Sequence, residues 1–282
     1  MVYTQNPSAD LHIHSNYSDS TNTVEDLIRL AGKKKLRAIS ITDHDTVAAV
    51  DKARSLARNT GVEVIPGIEF SSRWNDTSVH LLGYFINHYD SQLIEYLKLC
   101  EERRVARAEA MIKNLRELGF EVSMDLLFSI ANGGVLGRPH IAEAVMQVSE
   151  YTAMHEVFRD LLVRGKPAYV PKPTSDAAEL IDLIHIIGGV SSLAHPKTVG
   201  DDSIIPRLAQ VGLDAIEVVH SSHSLRDVEK YSALADQYKM VVSGGSDSHG
   251  GRLGREDLGR FTISMEQVDR LRNKIPEKKI KT

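Results

Sequence analysis

The chain has 282 residues, 42% hydrophobic and 26% charged, with a formal net charge of -4. That length and balance suit one large globular domain, or a domain carrying a sizeable insertion, and exclude a disordered chain. Without a basic surplus, duplex nucleic acid is excluded as a partner, because its phosphates call for many Lys and Arg; a small anion held by metal ions needs no such surplus. In chain order, residues 10–14 alternate as a strand. Residues 23–34 form an amphipathic helix with Thr23 as N-cap and acids in its first turn. Residues 37–42 (RAISIT) read as a buried strand, 48–59 as a helix, 62–65 as a strand before Pro66-Gly67, and 79–86 (VHLLGYFI) as a further strand. Strands alternating with helices at this spacing imply parallel pairing, hence an α/β sheet or barrel.

The rhythm changes after residue 90. Residues 91–118 read as a long helix ended by Gly119. Residues 125–131, 139–148 and 153–163 read as shorter helices. From residue 176 the alternation resumes: helix to 187, strand 189–194, helix 204–211, strand 215–219, helix 225–238 and strand 240–243. The chain therefore reads as an α/β body, residues 1–90 and 176–282, interrupted by a helical insertion domain, residues 91–175. Cys100 is the only cysteine, which leaves neither a disulfide framework nor a thiolate zinc site. Residues 1–8 lack the apolar core of a signal peptide, and no apolar run is long enough to span a bilayer. A cytoplasmic chain with no membrane partner is expected.

The chemistry gathers at strand ends. His12-x-His14 lies on a strand, where residues two apart share a face. Asp247-x-His249 repeats the spacing after Gly244-Gly245, Asp43-His44 follows the strand 37–42, Glu69 follows the Pro66-Gly67 break, and His195 closes the strand before it. Loops at the carboxyl ends of barrel strands share one face, where active sites form. Imidazoles and carboxylates without thiolates suit zinc, manganese or iron better than magnesium alone.

The ordered runs DLHIHSNYSDS, ITDHDT, PGIEFS, VHLLGYFI, SLAHP and SGGSDSHG resemble the polymerase and histidinol phosphatase (PHP) superfamily of metal-dependent phosphoesterases. The resemblance implies a distorted (β/α)7 barrel and three divalent metal ions. One ion would be held by His12, His14, Glu69 and Asp247, and a second by bridging Glu69 with His80 and His195. Asp19, His44 and His249 would hold the third, and Asp43 would orient a neighbouring ligand. Ser20 stands where many members have Gly.

Gly137-Arg138-Pro139-His140 and the run 216–224 (IEVVHSSHS) are similar to segments of members that act on nucleoside 3',5'-bisphosphates and short 5'-phosphorylated oligonucleotides. The resemblance thus implies removal of the 5'-phosphate of a nucleotide such as adenosine 3',5'-bisphosphate, by a hydroxide bridging two ions at Glu69. Arg138 and His223 would bind the phosphate, and the planar fork of Arg138 suits it chemically. Short single-stranded oligonucleotides are a further substrate class. The rival readings are a small-metabolite phosphatase of the histidinol phosphate type, a non-catalytic PHP interaction module, and C–N hydrolysis on a similar metal site. His88, His155 and His185 read as surface or packing residues, Trp74 as a loop aromatic, and Glu101-Glu102-Arg103-Arg104 as a solvated helix face. His220 stays unassigned, and Lys197 is a candidate to reach an anion.

Overall fold

Short runs rich in β-branched and small residues make the strands: β1 (Ala9–Ile13), β2 (Ala38–Ile41), β3 (Glu63–Val64), β4 (Gly67–Trp74), β5 (Thr77–Tyr84), β6 (Ser175–Asp176), β7 (Val190–Leu193), β8 (Ala215–Val219) and β9 (Val241–Gly244). This computed structural model describes residues 9–253 and 256–276. The polar stretch 1–8 and the last residues assigned to the α/β body, 277–282, lie outside the described residues. Strands β1, β2, β7 and β8 are buried along their whole length, as strands covered on both faces must be.

Two sheets form, in the orders β1-β2-β3 and β6-β4-β5-β7-β8-β9. Single bridges join them at both seams, Ile13 to Ser248 and His44 to Glu69. The ring therefore runs β2-β1-β9-β8-β7-β5-β4 and back to β2. This is the expected seven-stranded barrel, distorted because both seams are so short. At the β1–β9 seam, Asp247 N–H donates to His12 O at 2.7 Å and His14 N–H to Ser248 O at 3.0 Å. Gly245 lies so close to the His12 backbone that any Cβ there would overlap it; only glycine permits this approach.

Parallel pairing holds for β1–β2–β3 and for β7–β8–β9, but not in the middle of the barrel. There β4 and β5 form an antiparallel hairpin, and β5 runs antiparallel to β7. The sequence reading takes Pro66-Gly67 as a break and leaves residues 67–74 without a strand. It overlooks the two-residue Asn75-Asp76 turn, whose left-handed Asn75 (φ 52°) suits a tight hairpin. Glu69 consequently lies inside a strand rather than in a loop after one. Trp74 ends that strand and packs against the outer barrel core.

The helices are α1 (Val24–Lys33), α2 (Val50–Ala57), α3 (Ser91–Glu117), α4 (Met124–Ala131), α5 (Arg138–Gln147), α6 (Met154–Val157), α7 (Ala177–Ile186), α8 (Pro196–Val199), α9 (Ile204–Gln210), α10 (Leu225–Gln237) and α11 (Met265–Arg272). Thr23 caps α1 by accepting from Asp26 N–H. The π-helical turn Phe158–Leu162 continues α6, so the expected helix over 153–163 is wound in two ways. Ile68, Phe70, Leu81, Leu193 and Ile216 of the barrel pack against α7, α9 and α10. The stretch from α3 to residue 170 has a separate core built on Met111, Leu115, Leu127, Val145 and Leu162. No helix among the described residues is long and apolar enough to cross a membrane.

Candidate metal centre

Strand ends bring the chemical groups together. His12 on β1 and His14 just past its end are fully buried, with ring centroids 5.2 Å apart. His195 (φ 29°) and Asp247 (φ 52°) leave β7 and β9 in the left-handed region, a conformation that costs a non-glycine residue roughly 1–3 kcal/mol and gathers at functional sites. Glu69 is the hub. Its Oε1 lies 2.7 Å from His80 Nδ1 and 3.1 Å from His195 Nε2. Its Oε2 lies 2.9 Å from His44 Nδ1, 3.3 Å from His14 Nε2 and 3.4 Å from His12 Nε2. Asp247 Oδ1 is 3.1 Å from His14 Nε2 and 3.4 Å from His12 Nε2. Asp19 Oδ1 is 3.2 Å from His249 Nε2, and its Oδ2 is 3.8 Å from His44 Nε2.

All nine residues anticipated as metal ligands thus meet in one place. Sets of their donor atoms lie within 4.8 Å of one another: His12, His14 and Glu69; Asp19, His44, His249 and also His14; and Glu69 with His80 and His44. His195 shares Glu69 Oε1 with His80, but His44 completes the tighter set. His12 Nε2, both His14 nitrogens, His44 Nδ1 and Glu69 Oε2 are buried without a hydrogen-bond partner. Stranded polar atoms of this kind are costly in a protein interior, and divalent cations would satisfy those that face the cluster. The outer ring nitrogens fit the same reading. His12 Nδ1 donates to Glu217 Oε1 (3.0 Å), His195 Nδ1 to Thr198 Oγ1 (2.8 Å) and His249 Nδ1 to Asp247 O (2.9 Å). Each such bond leaves Nε2 of the neutral ring bare for a metal.

Charge is balanced internally. Burial opposes a charged His14, yet the carboxylates of Asp247 and Glu69 close beside it carry it up to about 10. Burial would raise Glu69, but the imidazoles of His44, His80 and His12 hold it well below the usual carboxylate range. Asp247 and Asp19 are held low against burial in the same way, by His12 and His14 for the first and by His44 and His249 for the second. Burial takes His80 down to about 4, so its ring is neutral and can ligate.

One contributor was not anticipated from the sequence. Glu217 is fully buried on β8 and accepts from both His12 Nδ1 and the His195 N–H at 2.7 Å. His220, just beyond that strand, groups with His12 and Asp247. Its Nδ1 accepts from Ser222 N–H at 3.0 Å, so the ring proton sits on Nε2, 3.3 Å from Asp247 Oδ2. That tautomer orients Asp247 and has no lone pair left for a metal. Asp43 touches no ligand side chain; it accepts from Ser15 N–H, Ser15 Oγ and Ser18 Oγ, fixing the turn that presents Asp19. Ser20 in that turn has no positive φ, so the position does not require glycine.

Arg104 corrects the solvated-face reading of residues 101–104. It pairs with the buried Asp45, donates to Leu136 O at 3.0 Å and keeps Nε buried without a partner. Lys172 also reaches Asp45, at 3.4 Å, and bonds Ser71 Oγ, the residue paired with His80 across the hairpin. Burial and the neighbouring Arg138 bring Arg107 down to about 10. Arg138 itself begins α5, donates to Leu162 O at 3.4 Å and lies 5.7 Å from the Phe158 ring. A basic group from the helical segment therefore adjoins the metal residues. His223 is buried; its Nδ1 donates to Val218 O at 2.8 Å and its Nε2 has no partner. Lys197 is engaged by Asp227 at 2.7 Å. His88 and His185 pair with Asp51 and Asp214, and His155 is exposed.

Residues 10–118 match the model of the PHP domain. Over 247 residues the chain is 32% identical to the 5'-3' exoribonuclease Rnm of Escherichia coli, covering 85% of this chain and 84% of that protein. The chain belongs to the PHP family. This PHP protein is also 31% identical over 256 residues to the 3',5'-nucleoside bisphosphate phosphatase of Chromobacterium violaceum, covering 89% of this chain and 90% of that one. Its fold matches the crystal structure of a proposed metal-dependent phosphoesterase from Bifidobacterium adolescentis with a TM-score of 0.89 and 26% identity, covering 99% of each chain. As a PHP protein it is a hydrolase, a metal-dependent phosphoesterase acting on a small phosphorylated substrate.

Proposed function

We propose that the protein removes the 5'-phosphate from nucleoside 3',5'-bisphosphates such as adenosine 3',5'-bisphosphate, and from short 5'-phosphorylated oligonucleotides. One observation carries this reading. The metal-type residues at the barrel mouth adjoin a second, basic group contributed by the helical segment. A bisphosphate would engage both, one phosphate at the metal-type residues and the other at the positive charge that Arg104 and Lys172 keep after sharing the single carboxylate of Asp45. The two relatives add support, since their names denote action on a nucleoside bisphosphate and 5'-3' cleavage of RNA. In this reading residues 91–175 act as an insertion domain that holds the part of the substrate away from the reacting phosphate.

Three divalent ions, manganese, iron or zinc, would be held by His12, His14, Glu69 and Asp247; by Glu69, His80 and His195; and by Asp19, His44 and His249. When bound, they supply a hydroxide nucleophile at neutral pH and offset the charge on the phosphoryl oxygens. The chain's residues set the stage for that chemistry. Glu217 and Thr198 hold His12 and His195 with their bare nitrogens turned inward. Arg138 offers a planar fork to a phosphate, and Arg104 and Lys172 add positive charge beside it. His223 Nε2 can donate to a phosphate oxygen only as the imidazolium, because Nδ1 already donates to Val218 O. Burial lowers its pKa, so an arriving dianion would bring a proton with it.

The test is phosphate release by manganese-loaded protein from adenosine 3',5'-bisphosphate, beside AMP and histidinol phosphate. The bisphosphate should be preferred, and Arg138→Ala should lower kcat/KM for it by about ten- to a hundredfold, the worth of a charge-assisted pair. Turnover of histidinol phosphate alone, or an Arg138→Ala enzyme with unchanged kinetics, would overturn the assignment.

A further inference from the structure

A cavity of about 430 Å³ lies between the helical segment and the loops that carry the metal residues. Tyr17, Ile94, Leu97 and Phe128 supply apolar walls, and Lys98, Arg104, Glu101 and Asp45 supply charges of both signs. Its place in the fold connects it to the chemistry. Tyr17 stands in the turn between His14 and Asp19, and its carbonyl accepts from Val135 N–H at 2.9 Å, which ties the two walls together. Asp45, the residue after His44, also lines the cavity and pairs there with Arg104. A molecule whose phosphate sits among the metal residues has this space next to it.

The lining defines the occupant. Phe128 is 48% exposed and Ile94 54% exposed, so both side chains offer open apolar surface to an occupant. The volume is within the usual range for a small-ligand site, roughly 300–1,000 Å³. A bare sugar phosphate would want hydroxyl partners rather than two aromatic rings. An acyl chain would gain nothing from Lys98 and Arg104. A nucleobase has two apolar faces and a polar edge that both donates and accepts, which matches aromatic walls bordered by charged groups of both signs.

We infer that this cavity binds the nucleobase of the substrate, with Phe128 and Tyr17 as its stacking faces. The inference rests on the nucleotide reading above and deepens it, because it states which part of the chain reads the base. Phe128→Ala should lower kcat/KM for adenosine 3',5'-bisphosphate about tenfold, the typical worth of one base–aromatic stack. It should leave 1-deoxyribose 3,5-bisphosphate, which has both phosphates and no base, unchanged. Phe128→Tyr should retain the wild-type preference. Equal losses on both compounds, or none on either, would refute the base site while leaving the phosphatase reading intact. If the wild type hydrolyses neither compound, the functional proposal fails and a binding measurement decides this one. In Phe128→Trp, fluorescence quenched by the nucleoside bisphosphate and not by the base-free compound supports the site. A response no different from that of the wild type, whose one tryptophan is Trp74, overturns it.

Discussion

Glu217 shows how much one side chain can do without touching a metal. It lies fully buried, and its two oxygens accept from His12 Nδ1 and from the His195 N–H. One carboxylate therefore sets the ring of one metal-type residue and the backbone of another, which explains why burial does not raise it: His12 and His220 hold its pKa low. Glu217→Gln keeps the shape but turns an NH2 group toward one of the two donors. Metal affinity should fall about ten- to a hundredfold, as for other partners that orient metal-bound histidines. Competition with a chromogenic chelator measures it, and an unchanged affinity would assign Glu217 to packing alone.

Elements come together through Asp45. It occupies the left-handed region (φ 52°), and its N–H donates to Glu69 O at 3.0 Å. Its carboxylate accepts from Ser71 N–H at 2.8 Å and pairs with Arg104 of α3 and with Lys172. Burial would raise this carboxyl, but Lys172 and Arg104 hold it far below the ordinary range. The barrel loop that carries His44 is thus pinned to the helical segment by one buried ion group. Asp45→Asn would leave Arg104 and Lys172 without their counter-charge and should destabilise the fold by about 3 kcal/mol. Urea unfolding of the purified variant reads the effect. Because the native carboxyl pKa is depressed, its contribution is complete above pH 4 and fades only in acid, so the comparison belongs at neutral pH.

At the scale of the whole molecule, stability without metal should depend on pH with a definite sign. His14 rises to about 10 in the folded chain from 6.5, so its contribution is complete below pH 6.5 and is lost as pH climbs toward 10. Metal binding reverses this dependence, because the bound ring must be neutral and each ion displaces protons. The Tm of chelator-treated protein should fall between pH 6.5 and 10, whereas manganese-loaded protein should show a flatter or rising profile over that range. Parallel profiles would mean that metal does not replace the proton on His14.

The chain by itself singled out the nine candidate metal ligands that the fold gathers at one place, and the alternation of most strands and helices. Strand periodicity puts His12 and His14 on one face, and apolar runs ending in Asp-His, His-Pro or Asp-x-His mark where chemistry sits. These signals are local in sequence, so they can be read without a fold. Tertiary structure alone decided the rest. The β4–β5 hairpin was hidden because Pro66-Gly67 looks like an ending when the partner strand is unseen. Glu217 looked like one more strand residue until the fold set it between His12 and His195, 205 and 22 residues away. Arg104 sits in a charged helical run whose pattern is that of a solvated surface, and only the docking of α3 over the barrel buries it against Asp45. Glu217 and Arg104 act through partners distant in sequence, and the nearness of those partners is a property of the closed barrel and the segment docked on it.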